Sequence, residues 1–85
     1  MKRFEFTVTA PQGIHGRPAA ELVKLAKQYQ STVTLQCGPR SCDVKQLIKL
    51  MLAAVKQGET VCITVSGMDE EACAAALEKA MQQDF

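Results

Sequence analysis

Four short stretches of this chain alternate apolar and polar residues, and each keeps one polar face. Phe4, Phe6 and Val8 alternate with Glu5, Thr7 and Thr9, and Val33, Leu35 and Cys37 alternate with Thr32, Thr34 and Gln36. Cys42 and Val44 share a phase, and Val61, Ile63 and Val65 enclose Cys62 and Thr64. A period of two is the mark of a strand that buries one side. The segments therefore belong to a sheet with one covered and one open face. Between them the period changes. After Pro18, the spacing of Ala19, Leu22, Val23, Ala26 and Tyr29 predicts a helix from Pro18 to about Tyr29, with Lys24, Lys27 and Gln28 on its wet side. A second helix is expected from about Lys45 to Gln57, capped by Asp43 or a neighbour and stopped by Gly58. A third is expected from Ala72 to Gln83, with a stripe of Cys73, Ala76, Leu77, Ala80 and Met81 behind the acids Asp69, Glu70 and Glu71.

The resulting order, β-α-β-β-α-β-α, describes an α+β fold: an open-faced β-sandwich in which three helices cover one face of a four-stranded antiparallel sheet. Gly38-Pro39 joins the second and third strands as a hairpin. The helix between the first two strands makes them parallel, with a right-handed crossover. Placing the fourth strand between them makes every neighbour antiparallel, a choice of plausibility because alternation alone does not fix strand order. A chain of 85 residues has room for one domain, residues 1–85, around one core.

Charge narrows the function classes. Ten basic and nine acidic residues leave a formal charge of +1, which argues against broad binding to nucleic acid or an anionic membrane surface. The opening Met-Lys-Arg-Phe-Glu-Phe has no apolar leader-like run, and nothing approaches the ~20 apolar residues of a membrane span. A cytoplasmic address is expected, with the four cysteines reduced. Cys37, Cys42 and Cys73 fall in apolar phases and Cys62 faces outward. Cys37 and Cys42, which flank the Gly38-Pro39-Arg40-Ser41 turn, are the one pair placed as potential cross-strand partners in a bridge. With one histidine and no Cys-x-x-Cys, no metal site is expected, and no cofactor is implied.

The candidate chemistry lies in Gly13-Ile14-His15-Gly16-Arg17-Pro18. A neutral imidazole is a competent nucleophile near neutral pH. Arg17 supplies a fork for phosphate. Pro18 suits a first helical turn, where a missing N–H costs nothing, and leaves the amides ahead of it free for an anion. Gly16 removes a Cβ where a partner must approach closely.

These residues, together with the element order, resemble the histidine-containing phosphocarrier family, HPr, of the bacterial phosphoenolpyruvate-dependent sugar phosphotransferase system. The resemblance runs from Phe6-Thr7-Val8-Thr9-Ala10 through Gly13-Ile14-His15-Gly16-Arg17-Pro18-Ala19, then Val44-Lys45, Met51, Lys56-Gln57-Gly58 and Ala75-Ala76-Leu77-Glu78. It implies that His15 accepts a phosphoryl group on Nδ1 from Enzyme I, with Arg17 contacting that group and Gly16 lending a backbone N–H. The group then passes to an EIIA domain. The protein would be a carrier rather than a complete enzyme, and a monomer.

The second helix adds a surface. Leu47, Ile48, Leu50, Met51, Leu52, Ala54 and Val55 cover an arc of roughly 200°, more than a one-sided helix buries. The resemblance points to Leu47, Ile48 and Met51 as a docking patch beside His15, joined by Ala20, Lys24, Lys27 and Lys49, with Lys45 also in the ring of lysines around it. Some family members carry a regulatory serine at the start of this helix; here the position is Gln46, so that switch is expected to be absent. Gly16 and Lys49 also differ from the commonest family residues, a departure that leaves open a dedicated paralogue. Two other readings stay beside the carrier: a regulatory module that acts by docking alone, and a thiol-based redox or metal protein resting on the cysteines.

Overall fold

The alternating segments form β1 (Lys2–Thr7), β2 (Thr32–Cys37), β3 (Arg40–Asp43) and β4 (Thr60–Ser66), and the helical segments form α1 (Gly16–Ala26), α2 (Leu47–Leu52) and α3 (Glu70–Asp84). The structure is a computed structural model that describes all of residues 1–85. The sheet order is β1-β4-β2-β3 and every pairing is antiparallel, so β4 lies between the two strands joined by α1. Registers such as Phe4 with Ile63 and Val33 with Val65 put the apolar sets on one side. Arg3, Thr64 and Thr34 fall in one row of the other. The covered side belongs to a single cluster of 20 buried apolar residues, in which Leu35, Val61, Ile63, Leu50 and Leu77 are almost completely excluded from water.

The expected boundaries of α1 and α3 move modestly. α1 begins at Gly16 rather than Pro18, and α3 begins at Glu70 rather than Ala72. Pro18 still lies in the first turn of α1, where an imino nitrogen forfeits no intrahelical bond. α1 also ends at Ala26, ahead of Tyr29.

The second helix departs further, because it spans six residues and not thirteen or so. Ala53 caps its end and Ala54 turns left-handed at φ 52°, a conformation that costs an L-residue about 1–2 kcal/mol. What holds this break is Arg40. Its Nη1 donates to the Ala53 carbonyl at 2.7 Å and to that of Ala54 at 3.2 Å. Its Nη2 pairs with Glu59 and donates to Cys37 Sγ at 3.2 Å. Glu59 Oε1 in turn accepts from the Lys56 amide at 2.8 Å. The guanidinium thus satisfies two carbonyls that a longer helix would have used itself. So short a helix is not stable on propensity; Leu50, fully buried, anchors it. Gly58 is not a helix stop but a turn residue ahead of β4, at φ 90°, whose amide donates to the Val8 carbonyl at 2.8 Å. At the other end, the N-cap is Gln46, which makes no side-chain capping bond. Asp43 instead accepts from the Lys45 amide at 2.9 Å.

Cys37 and Cys42, the one pair with potential for a bridge, are not directly opposed across the hairpin. Cys37 pairs with Arg40 and Cys42 with Leu35, so the thiols sit diagonally and all four cysteines are free.

A second polar anchor ties α3 to β2. Asp69 accepts from the amides of Gln30 at 2.8 Å and Ser31 at 3.0 Å, and from the Ser31 hydroxyl. The Ser31 hydroxyl, followed by the Gln30 amide, holds the Asp69 carboxyl below its ordinary range. The Lys56 amide, followed by Arg40, does the same for Glu59. A carboxyl depressed in the folded state contributes stability that is complete above the unfolded pKa, roughly 4, and is lost as pH falls through the folded value. Urea midpoints should therefore fall between about pH 7 and about pH 3. The double variant Glu59→Gln, Asp69→Asn should show a flatter pH dependence than the parent, alongside lower stability at neutral pH.

Candidate functional site

His15 is the N-cap of α1, extended at φ −156° and ψ 160°, and its ring makes no capping hydrogen bond. The loop before it is fastened on both sides. The amides of Thr9 and Ala10 donate to the Phe85 carbonyl at 2.6 and 2.7 Å, and Gly13 closes a turn onto the Ala10 carbonyl at 2.9 Å. The Ile14 amide then donates to the Val55 carbonyl at 3.0 Å, while the Ile14 side chain plugs the core. Gln57 Nε2 adds a bond to the Thr9 carbonyl at 3.0 Å. His15 is the first residue to emerge from this seam, and it is exposed.

Two glycines make the path possible, for different reasons. Gly13 has φ 71° and lies so close to the α2–β4 connection that a Cβ would stand 2.1 Å from the Val55 carbonyl oxygen. Gly16 has φ 68° in open space, where a Cβ would meet only Pro18 Cδ at 3.9 Å. Its requirement for glycine therefore comes from the backbone conformation it adopts within the chain itself.

The first turn of α1 carries no acidic residue. The amides of Gly16 and Arg17 donate to no acceptor, and Pro18 has no N–H to donate. Such an uncapped end offers an anion two N–H groups and the positive end of the helix dipole. Arg17 is exposed and takes part in no ion pair. His15 itself lines two shallow depressions. One, about 190 Å³, includes Gln12, Pro18 and Asp84. The other, about 310 Å³, includes Met51, Ala54, Val55 and Lys56. Arg17 lines neither.

Met51 is thus beside the histidine. Ile48 is 74% exposed and Leu47 is half-buried against the core. Leu52, 76% exposed, also stands on the surface, though only its place in the apolar arc had marked it. Lys49 is exposed and lines a depression with Pro39 and Leu52. Ala20 is half-buried in α1, Lys24 is exposed there, and Lys27, the residue that caps the end of α1, is exposed as well. Lys24 lines a separate depression with Glu21 and Asp84, away from His15. Lys45 leaves the ring of lysines, because its Nζ donates to the Tyr29 carbonyl at 2.8 Å and so closes the end of α1. Lys56 and Asp84 were not singled out as site residues; they lie 41 and 69 positions from His15 in sequence, and only the folded seam brings them near it. No group of three or more His, Cys, Asp or Glu side chains is arranged to hold a metal.

The family model described as the PTS HPr component phosphorylation site matches residues 2–83. The chain belongs to the HPr family of phosphocarrier proteins. It is 41% identical to the phosphocarrier protein HPr of Haemophilus influenzae over 64 residues, 75% of each chain. The HPr-C-His structure from Thermoanaerobacter tengcongensis superimposes with a TM-score of 0.94 at 28% identity, covering 100% of this chain and 96% of that one. The histidine-containing phosphocarrier protein of Mycoplasma also gives 0.94, at 27% identity over 96% of this chain and 93% of the other. HPr proteins are carriers in the phosphotransferase system rather than enzymes. No helix of this HPr-family chain is long and apolar enough to cross a membrane.

The two glycines should respond differently to a methyl group. Gly13→Ala adds a backbone clash to an unfavourable φ and should cost about 3 kcal/mol. Gly16→Ala adds only the unfavourable φ and should cost about 1–2 kcal/mol. Urea denaturation followed by circular dichroism measures both, and equal losses would contradict the seam described for Gly13.

Proposed function

We propose that His15 is the phosphoryl acceptor, charged by phosphorylated Enzyme I and discharged to an EIIA domain of a sugar transporter. The observation that carries this reading is an exposed histidine at the uncapped N-terminus of α1, with the Gly16 and Arg17 amides unpaired beside it. In the transfer, the lone pair of the neutral imidazole Nδ1 attacks phosphorus. The bond from phosphorus to Enzyme I breaks and its electron pair stays with Enzyme I. Handing the group on reverses the roles, and the pair of the broken N–P bond returns to the ring.

The product carries roughly −1.5 to −2 of charge at pH 7, which the free amides and the Arg17 guanidinium offset. A relay needs that stabilisation to remain small, because about 1.4 kcal/mol changes an equilibrium tenfold. An exposed site meets this requirement, since charge-assisted bonds open to water are weak. Ile48 and Leu52, with Met51 at the rim of the His15 depression, form the apolar surface on which partners dock. Gln46, at the N-cap of α2, has no hydroxyl to phosphorylate, so a serine switch at that position is absent from this chain. On this reading the chain works as a monomeric single domain in the cytoplasm.

The same exposed Ile48 and Leu52 suit a module that acts by docking alone. Incubation with phosphoenolpyruvate and Enzyme I separates the two. The carrier gains one acid-labile phosphoryl mass, His15→Ala gains none, and Ile48→Glu is phosphorylated more slowly with an unchanged fold. An unmodified parent chain, with partner binding lost only on Ile48→Glu, would leave the docking module.

A further inference from the structure

The two depressions that His15 lines differ in charge. The only charged residue in one is Lys56, and in the other it is Asp84. Neither is committed elsewhere. Lys56 bonds through its backbone alone, its amide donating to the Glu59 carboxylate and its carbonyl accepting from the Glu59 amide, and neither side chain enters an ion pair. Both are exposed, but their backbones are fixed. Lys56 follows Val55, whose carbonyl holds Ile14, and Asp84 precedes Phe85, whose carbonyl holds Thr9 and Ala10. The seam that positions His15 therefore also places one cation in one of the depressions it lines and one anion in the other. Arg17 lines neither depression, while Glu21 and Lys24 share only the neighbouring hollow with Asp84.

We infer that Lys56 and Asp84 are opposed positioning charges that set how strongly His15 retains a phosphoryl group, Lys56 favouring the phosphorylated form and Asp84 opposing it. This rests on His15 being the acceptor. The phosphoryl dianion adds negative charge beside both depressions, so it is attracted to Lys56 and repelled by Asp84. Exposed pairs of this kind change an equilibrium about two- to fivefold. The pair thus brings the transfer potential of the carrier toward balance, so that it both accepts and donates.

The measurement is an equilibrium constant. Overall, phosphoenolpyruvate plus the carrier gives pyruvate plus the phosphorylated carrier; the phosphorus–oxygen bond of the donor is exchanged, by way of Enzyme I, for the phosphorus–nitrogen bond to His15, and the enolate left behind becomes pyruvate by taking up at carbon a proton equivalent to the one the ring gives up. Catalytic Enzyme I speeds both directions equally, so altered docking changes the rate and not the end point. With pyruvate in large excess, intact mass gives the phosphorylated fraction at equilibrium. Lys56→Gln should lower the equilibrium constant about two- to fivefold and Asp84→Asn should raise it by a similar factor. Lys56→Arg should keep the parent value, and both shifts should shrink in about 1 M salt, where the screening length is about 3 Å. Thermal melts confirm that the variants fold. If the parent takes up one phosphoryl group, lost in His15→Ala, while Lys56→Gln and Asp84→Asn leave the constant unchanged or move it in the same direction, the opposed charges are refuted and the acceptor stands. If the parent takes up none, both readings fall.

Discussion

The bond from the Ile14 amide to the Val55 carbonyl, with the Gly13 backbone pressed against the same peptide, is the contact on which the site depends. It joins two irregular segments, one before α1 and one after α2, that have no regular ladder to satisfy their polar groups. Buried backbone groups without partners are costly, so each segment completes the other. Arg40 and Glu59 brace the seam from behind by fixing the carbonyls of Ala53 and Ala54 and the amide of Lys56. Phe85 and Gln57 brace it from the front through Thr9 and Ala10.

A histidine held this way can be exposed without being loosely placed. Its position comes from backbone bonds on the residues before it, and its own ring is left without a capping role. The charge around it is sparse, and that sparseness fits a relay. A deep pocket would bind the phosphoryl group tightly enough to stop its onward transfer. In the proposed role, an open helix end and isolated side chains supply small increments, each within the range of weak surface electrostatics.

The sheet was legible because the alternation of Val33, Leu35 and Cys37 and of Val61, Ile63 and Val65 is a local property: β2 spans the Thr32-to-Cys37 alternation, and β4 spans that of Val61 to Val65 with one residue more at each end. The hexapeptide around His15 was legible as well, since the histidine, glycine, arginine and proline all have local consequences. The length of α2 was not. Ala53, Ala54 and Val55 are compatible with a helix, and the group that ends it, Arg40, sits thirteen residues upstream on another element. Lys45 misled for the same reason: a lysine on a polar face resembles a docking charge until Tyr29 is found to use it. Lys56 and Asp84 come near His15 through chain closure alone, which no periodicity records.

The brevity of α2 has an evolutionary reading. Of its six residues only Leu50 is fully buried, while Ile48, Lys49 and Leu52 project into water. In the proposed docking role, selection on folding acts mainly on the buried anchor, and selection on recognition acts on the others. Gene copies can therefore diverge in what they recognise through a few substitutions on one helical turn, without eroding the scaffold that holds the histidine.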